Sequence, residues 1–211
     1  HDLRNPLQVL TNIHYLIKTT PSSQVAELLN RNGPGLLETM EEQVGYMNKI
    51  VCDLQDYAKP LKAELAETDL RGLIDDTLSI TNVPETIDVH IEIETSAHNL
   101  IMDKALMKRA FANLITNAVQ AMPDGGRLTI RASKTGGIAL VSIHDTGVGI
   151  PKENLDKLFT VMFTTKARGQ GFGLAVCKRI AEAHGGEISV ESTVGKGTTI
   201  LIRLPNREET N

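Results

Sequence analysis

The chain changes its hydrophobic rhythm once. From residue 37, apolar side chains recur at Leu37, Met40, Val44, Met47, Val51, Leu54, Ala58 and Leu61, in alternating steps of three and four. That is the spacing of a heptad seam. Leu36, Ile50 and Tyr57 widen the stripe, which suits a four-helix bundle better than a two-helix seam. Upstream, Leu3, Leu7, Leu10, Ile13 and Ile17 predict another helix with a matching face, and the polar stretches TTPSSQ and NRNGPG interrupt the two patterns. A hairpin with so wide an apolar face needs a partner, and homodimerisation supplies one most simply. Pro6 would kink the first helix if that helix extended upstream.

After AKPLKAEL the pattern alternates. The runs DVHIEIE, GRLTIRAS, IALVSIHD, GEISVES and TTILIRL read as strands with one buried face. Helical periodicity returns at roughly 70–80, 104–122 and 172–184. KTGG and TVGKG mark hairpins, and the terminal NREETN reads as a frayed tail. The expected fold is α+β. Residues 1–64 form an antiparallel helical hairpin that becomes a four-helix bundle on dimerisation. Residues 65–211 form an α/β sandwich, a mixed sheet with helices on one face.

Composition narrows the function classes. The 211 residues are 41% hydrophobic and 23% charged, ordinary for a globular protein. Without Trp and with few aromatics, the cores must be aliphatic. A net charge of −4 and a pI near 5.9 argue against a nucleic-acid surface. Cys52 and Cys177 lie far apart in helix-like segments and read as reduced packing residues in a cytoplasmic setting. No apolar run approaches a membrane span, so this segment is expected to make no membrane contact. The chain lacks an initiator Met and reads as cut from a longer protein upstream of His1, one that can itself be membrane-anchored.

Candidate chemistry sits in four places. In RAFANLITNAVQAM, Arg109, Asn113 and Asn117 recur every fourth residue on one side of a helix. A solvated polar stripe explains them; so does a carboxamide site for a hard cation such as Mg²⁺ with phosphate oxygens. In HDTGVGI, Asp145 ends a strand ahead of Gly147 and Gly149. A plain turn explains this as well as a carboxylate accepting from an exocyclic amine, with glycines leaving room for a flat ring. GQGFGL places Gly169, Gly171 and Gly173 before an amphipathic helix, either a flexible connector or an anion site at a helix start. Between these, PKENLDKLFTVMFTTKAR, with Phe159 and Phe163, has the character of a lid.

The order of these elements, with GKGTT near the end and HDLRNPL at the start, resembles the catalytic core of a sensor histidine kinase. It combines a HisKA-type dimerisation domain with the ATP-binding fold called GHKL, and the likeness runs from His1 to Thr199. It implies that His1 is the phosphoacceptor, its imidazole attacking the γ-phosphate of ATP, with Asp2 favouring the reactive tautomer. Asn5, one turn from His1, implies phosphatase activity as well. Asn117 would ligate Mg²⁺ and Asn113 line the triphosphate, with Arg109 on the same stripe. Asp145 would read adenine, with Gly147, Gly149 and Thr198 around it. Gly169, Gly171 and Gly173 would form the phosphate loop, with Lys166 and Arg168 as lid cations and Phe159 and Phe163 as lid anchors. The implied partner is a response-regulator receiver domain.

The chain departs from the family's usual FEPFFTTK by Thr160, Val161 and Met162, and from its commoner Leu by Phe172. Two alternatives remain: a conformational ATPase of the same superfamily, or an ATP-binding scaffold. The first needs a Glu one turn before Asn117, where this chain has Asn113, a residue unable to act as general base.

Overall fold

The computed structural model describes residues 4–21, 24, 35, 37–45, 47, 61–161, 163, 164 and 171–206, with only the backbone of Arg4 and Asn5. The chain divides into two compact units, 1–59 and 60–211.

In the first unit, α1 spans Arg4–Thr19. Pro6 lies in its first described turn, where a missing N–H costs no ladder bond. At the other end the Thr19 and Thr20 hydroxyls donate to the carbonyls of Tyr15 and Leu16, and Pro21 cannot continue the ladder. Ile13 is buried, whereas Leu7, Tyr15 and Leu16 are exposed. A second helix, α2, is described over residues 37–45, where Leu37 and Val44 are exposed. Most of the heptad run beyond it, and the connection between the helices, lie outside the described residues.

The second unit runs β1 (Ala66–Asp69), α3 (Leu70–Ile80), β2 (Ile87–Ile93), a 3-10 turn (Thr95–Ala97), β3 (Asn99–Met102), α4 (Lys104–Ala121), β4 (Gly126–Thr135), β5 (Ile138–Asp145), α5 (Lys152–Leu155), α6 (Gly173–Ala183), β6 (Glu187–Thr193) and β7 (Gly197–Pro205). Five strands form a mixed sheet in the order β2-β4-β5-β7-β6. The β2–β4 pair is parallel and the other pairs are antiparallel. Register puts Ile130 opposite Ile143 and Ile143 opposite Ile200, with Val141 opposite Ile202. Because side chains alternate along a strand, one sheet face is aliphatic. Helix α4 presents Met107, Ala110, Phe111, Leu114, Ile115 and Ala118 as its buried stripe and packs with α3, α6, β5 and β7. Large side chains of this core are fully buried, each contributing about 1.5–3 kcal/mol of transfer free energy.

The opposite face carries cross-strand pairs, Arg131 with Glu92 at 2.8 Å and Arg203 with Glu187 at 3.1 Å. These are exposed and contribute little. Gly136 and Gly137 have φ of 58° and 73°, the positive values that a tight two-residue hairpin needs. The unexpected elements are β1 and β3, which pair antiparallel as a separate two-stranded sheet. At four residues each they are too short to show alternation.

Candidate functional site

The polar stripe of α4 exists because its other side is committed to the core. Arg109, Asn113 and Asn117 are half-buried on the flank of the helix, beside fully buried Ala110, Leu114 and Ala118. The start of α6 lies against this flank. A methyl group on Gly173 would stand 3.8 Å from Cγ of Asn113 and 4.0 Å from Nδ2 of Asn117. Gly171 takes φ of 70°, a left-handed value that favours glycine, and Phe172 is buried as the residue preceding α6. Beneath the stripe is Cys177, fully buried with a free thiol. Burial pushes that thiol up to about 12, against the opposing hydrogen bond of Asn113 and the charge of Arg109. It serves packing and is not a nucleophile at neutral pH.

Asp145 ends β5, buried to 6% exposure. Its Oδ1 accepts the Gly147 N–H at 2.9 Å, and its register partner on β7 is Thr198. Thr198 is also buried, with its Oγ1 2.9 Å from Oγ of Ser192. Ser192 accepts the Ile150 N–H at 2.8 Å and donates to the Gly197 carbonyl at 2.9 Å. This serine ties the loop after β5 to the β6–β7 hairpin. Nothing in GEISVES marks it out, because an isolated serine in an alternating strand reads as an outward polar position.

For Gly147 and Gly149 the structure supplies a reason other than room for a flat ring. A side chain on Gly147 would collide with the carbonyl oxygen of Ala121, and one on Gly149 with that of Thr193. The loop is bonded at the same points, Val148 N–H to Ala121 O at 3.0 Å and Gly195 N–H to Val148 O at 2.9 Å. Gly149 also has φ of 70°. Ala121 is one turn beyond Asn117, so α4 joins the two groups of residues: carboxamides against Gly173 at mid-helix, the Asp145 loop at its end.

The segment expected to act as a lid begins as α5, with further turns closed by the N–H groups of Leu158, Thr160 and Phe163. Leu158 is buried, and Phe159 and Phe163 are half-buried. Lys166, Arg168 and Gly169, together with His1 and Asp2, lie outside the described residues, and of Asn5 only the backbone is described. The open face of the sheet holds a shallow groove lined by Glu92, Arg131, Leu140, Ser142 and Leu201, none of which belongs to a motif. Among the described residues no group of three or more His, Cys, Asp and Glu suits a metal; a cation bound with a triphosphate at the stripe would meet carboxamide and phosphate oxygens. The donor set fits that: Asn oxygens are hard ligands suited to Mg²⁺.

Comparison with known proteins places the chain in a family. Residues 102–208 match the model described as histidine kinase-, DNA gyrase B-, and HSP90-like ATPase. Sensor histidine kinase ZraS of Escherichia coli K12 is 32% identical over 97% of this chain and 43% of its own length. The chain therefore spans less than half of the curated relatives it matches. A solved mycobacterial sensor histidine kinase, MprB, is 30% identical, covers 68% of this chain and 98% of its own, and superposes with a TM-score of 0.61. The crystal structure of histidine kinase ThkA with response regulator protein TrrA matches all of this chain and 60% of its own at a TM-score of 0.75. At 23% identity it is a likeness of fold alone. No described helix is long and apolar enough to cross a membrane.

Proposed function

Because this chain belongs to the family of histidine kinase-, DNA gyrase B-, and HSP90-like ATPases, we propose that it is the catalytic core of a two-component sensor histidine kinase. The observation that carries the nucleotide reading is the meeting of Asn113 and Asn117 on α4 with the glycine start of α6. Carboxamide oxygens, backbone N–H groups at a helix start and the helix dipole together suit a metal-bound triphosphate. At the other end of the site Asp145, buried and oriented by the Gly147 N–H, would accept from the exocyclic amine of adenine. Thr198 and Ser192 fix the hairpin beside it.

Phosphoryl transfer asks mainly for positioning and charge neutralisation. A bound Mg²⁺, held by Asn117, would supply neutralisation of the β- and γ-phosphate oxygens. Asn113 and the amides near Gly171 and Gly173 would orient the phosphates, with Lys166 and Arg168 on the lid adding positive charge. A ring nitrogen of His1 then attacks the γ-phosphorus. The P–N bond forms, the P–O bond breaks with its electron pair on the β-phosphate oxygen of ADP, and the remaining ring proton is taken up by water, with Asp2 favouring the reactive tautomer. The labile phosphoramidate passes its phosphoryl group to an aspartate of a response-regulator receiver domain. Relatives named as sensor or signal transduction histidine kinases that match nearly the whole chain support this partner. Asn5 would position the water that dephosphorylates the regulator.

The reading also takes residues 1–64 as the dimerisation hairpin and 65–211 as the catalytic domain, working in the cytoplasm. Exposed Leu7, Tyr15, Leu16, Leu37 and Val44 support burial against a second copy. Asn113 in the place a general base would occupy speaks against a conformational ATPase.

The test is incubation of the full-length protein with γ-labelled ATP and Mg²⁺. Protein-bound label that is acid-labile, alkali-stable and lost in His1→Gln supports the proposal. Released phosphate with no protein-bound label supports the ATPase reading instead.

A further inference from the structure

The two helices that carry the nucleotide residues converge, at their other ends, on one aspartate. Asp103 is the N-cap of α4, and its Oδ1 accepts the Leu106 N–H at 3.0 Å. Capping a helix needs only one side-chain acceptor, and Asn or Ser would do it equally well. A carboxylate adds a second acceptor, and here it is used: Oδ2 accepts the N–H of Glu64 at 2.9 Å. Glu64 lies just past the boundary between Lys59 and Pro60 that separates the two units, on the segment that enters the nucleotide unit.

The backbone of Asp103 is held from the other helix. His184, the residue that ends α6, is buried to 6% exposure. Its Nε2 accepts the Asp103 N–H at 2.9 Å, and its Nδ1 lies 2.7 Å from the carbonyl oxygen of Ile180. A carbonyl can only accept, so Nδ1 carries the proton and the ring is the neutral tautomer. Gly173 therefore opens α6 at the carboxamide stripe, and His184 closes the same helix on the cap of α4. One residue links the entering segment, the Asn-bearing helix and the helix behind the phosphate loop.

Resting on the nucleotide reading above, we infer that Asp103 is a positioning residue that clamps the entering segment at Glu64 to α4, coupling that attachment to nucleotide held further along α4 and α6. Coupling between two sites is reciprocal: nucleotide strengthens the clamp, and loss of the clamp weakens nucleotide binding by the same factor.

Hydrogen exchange at the Glu64 amide reads the clamp directly. In the full-length protein, a non-hydrolysable ATP analogue with Mg²⁺ slows that exchange by roughly fivefold or more, the low end of site-to-site coupling. Asp103→Asn keeps the helix cap but turns an NH₂ donor toward the Glu64 N–H. It abolishes the response and lowers analogue affinity by the same factor. Glu64→Pro removes the donor and leaves the cap, and it gives the same loss of analogue affinity. His184→Gln, whose side-chain oxygen can still accept from Asp103, retains the response that His184→Leu loses. An analogue that binds normally without changing Glu64 exchange overturns the inference, as does Asp103→Asn with its response intact. Failure of the analogue to bind refutes the nucleotide reading and the coupling with it. Exchange at Glu64 in the nucleotide-free wild type and Asp103→Asn then still shows whether the clamp itself exists.

Discussion

Two glycines of the candidate site are predicted to fail in opposite ways when replaced by alanine. At Gly147 a methyl group would collide with the carbonyl of Ala121 and stand 2.8 Å from the Ala121 Cβ. The residue is not in a left-handed conformation, so the penalty is steric and not torsional. Overpacking of this kind costs about 1–3 kcal/mol. Displacing the loop also weakens the Val148–Ala121 hydrogen bond, a further 0.5–1.5 kcal/mol or so. A total of about 1.5–4.5 kcal/mol corresponds to a melting temperature lower by roughly 3–18 °C. At Gly173 the nearest neighbours of a methyl group are the Asn113 and Asn117 carboxamides at 3.8 and 4.0 Å, ordinary contact. Gly173→Ala should therefore change stability by no more than about 1 kcal/mol. The methyl group would, however, occupy the space in which phosphate oxygens must approach both carboxamides and backbone N–H groups. ATP affinity should fall about tenfold or more, equivalent to about 1.4 kcal/mol. Thermal melting by circular dichroism and calorimetric titration with Mg-ATP separate the two effects. The reasoning is refuted if Gly173→Ala melts as low as Gly147→Ala, or if it binds nucleotide like the wild type.

Asp145→Asn keeps an oxygen to accept the Gly147 N–H but removes the charge facing the proposed amine; ATP binding should weaken about 10- to 100-fold, in line with a charge-assisted hydrogen bond, with melting unchanged. Burial raises the Asp103 carboxyl, but N–H donors from Leu106, Glu64 and Ala105 outweigh it and hold it below the ordinary carboxylate value. Its contribution is therefore present above about pH 4 and lost as pH falls through the lowered value. The stability advantage of wild type over Asp103→Asn, measured in urea at pH 6.5, should shrink steadily as pH is taken below about 4; an advantage that grows on acidification contradicts this. Cys177 should resist a maleimide at pH 8 in the folded chain and react on unfolding, as followed by mass spectrometry of its peptide; rapid labelling of native protein would show that the thiol is not sealed.

The elements legible in the sequence are those whose signal is local and repeated. The 70–80 helix, the 104–122 helix and the five alternating runs match α3, α4 and the main sheet to within a residue or two, because a one-sided core imposes its period on each. Strands β1 and β3 escaped because four residues carry too few alternations, and their pairing is decided by distant partners. The side chain of Asn206 serves both backbone groups of Ile101 across 105 residues of sequence, a contact with no local trace. At the site, the Asn113–Asn117 spacing was readable because helical geometry is fixed. The purpose of Gly147 and Gly149 was not, since a glycine needed for a neighbouring carbonyl looks the same as one needed for a ligand. Ser192, Asp103 and His184 act through contacts made only after folding.

The central claim is that α4, α6 and the loop after β5 hold one Mg-ATP. Titrating isotopically labelled protein with Mg-ATP while following Asn113, Asn117, Asp145 and Gly173 tests it most directly. Saturable shifts at all four residues with a single affinity, lost when Mg²⁺ is withheld or Asp145 is replaced by Asn, are the predicted result. Unmoved resonances at saturating nucleotide, or shifts confined to the opposite face around Arg131 and Leu201, would contradict it.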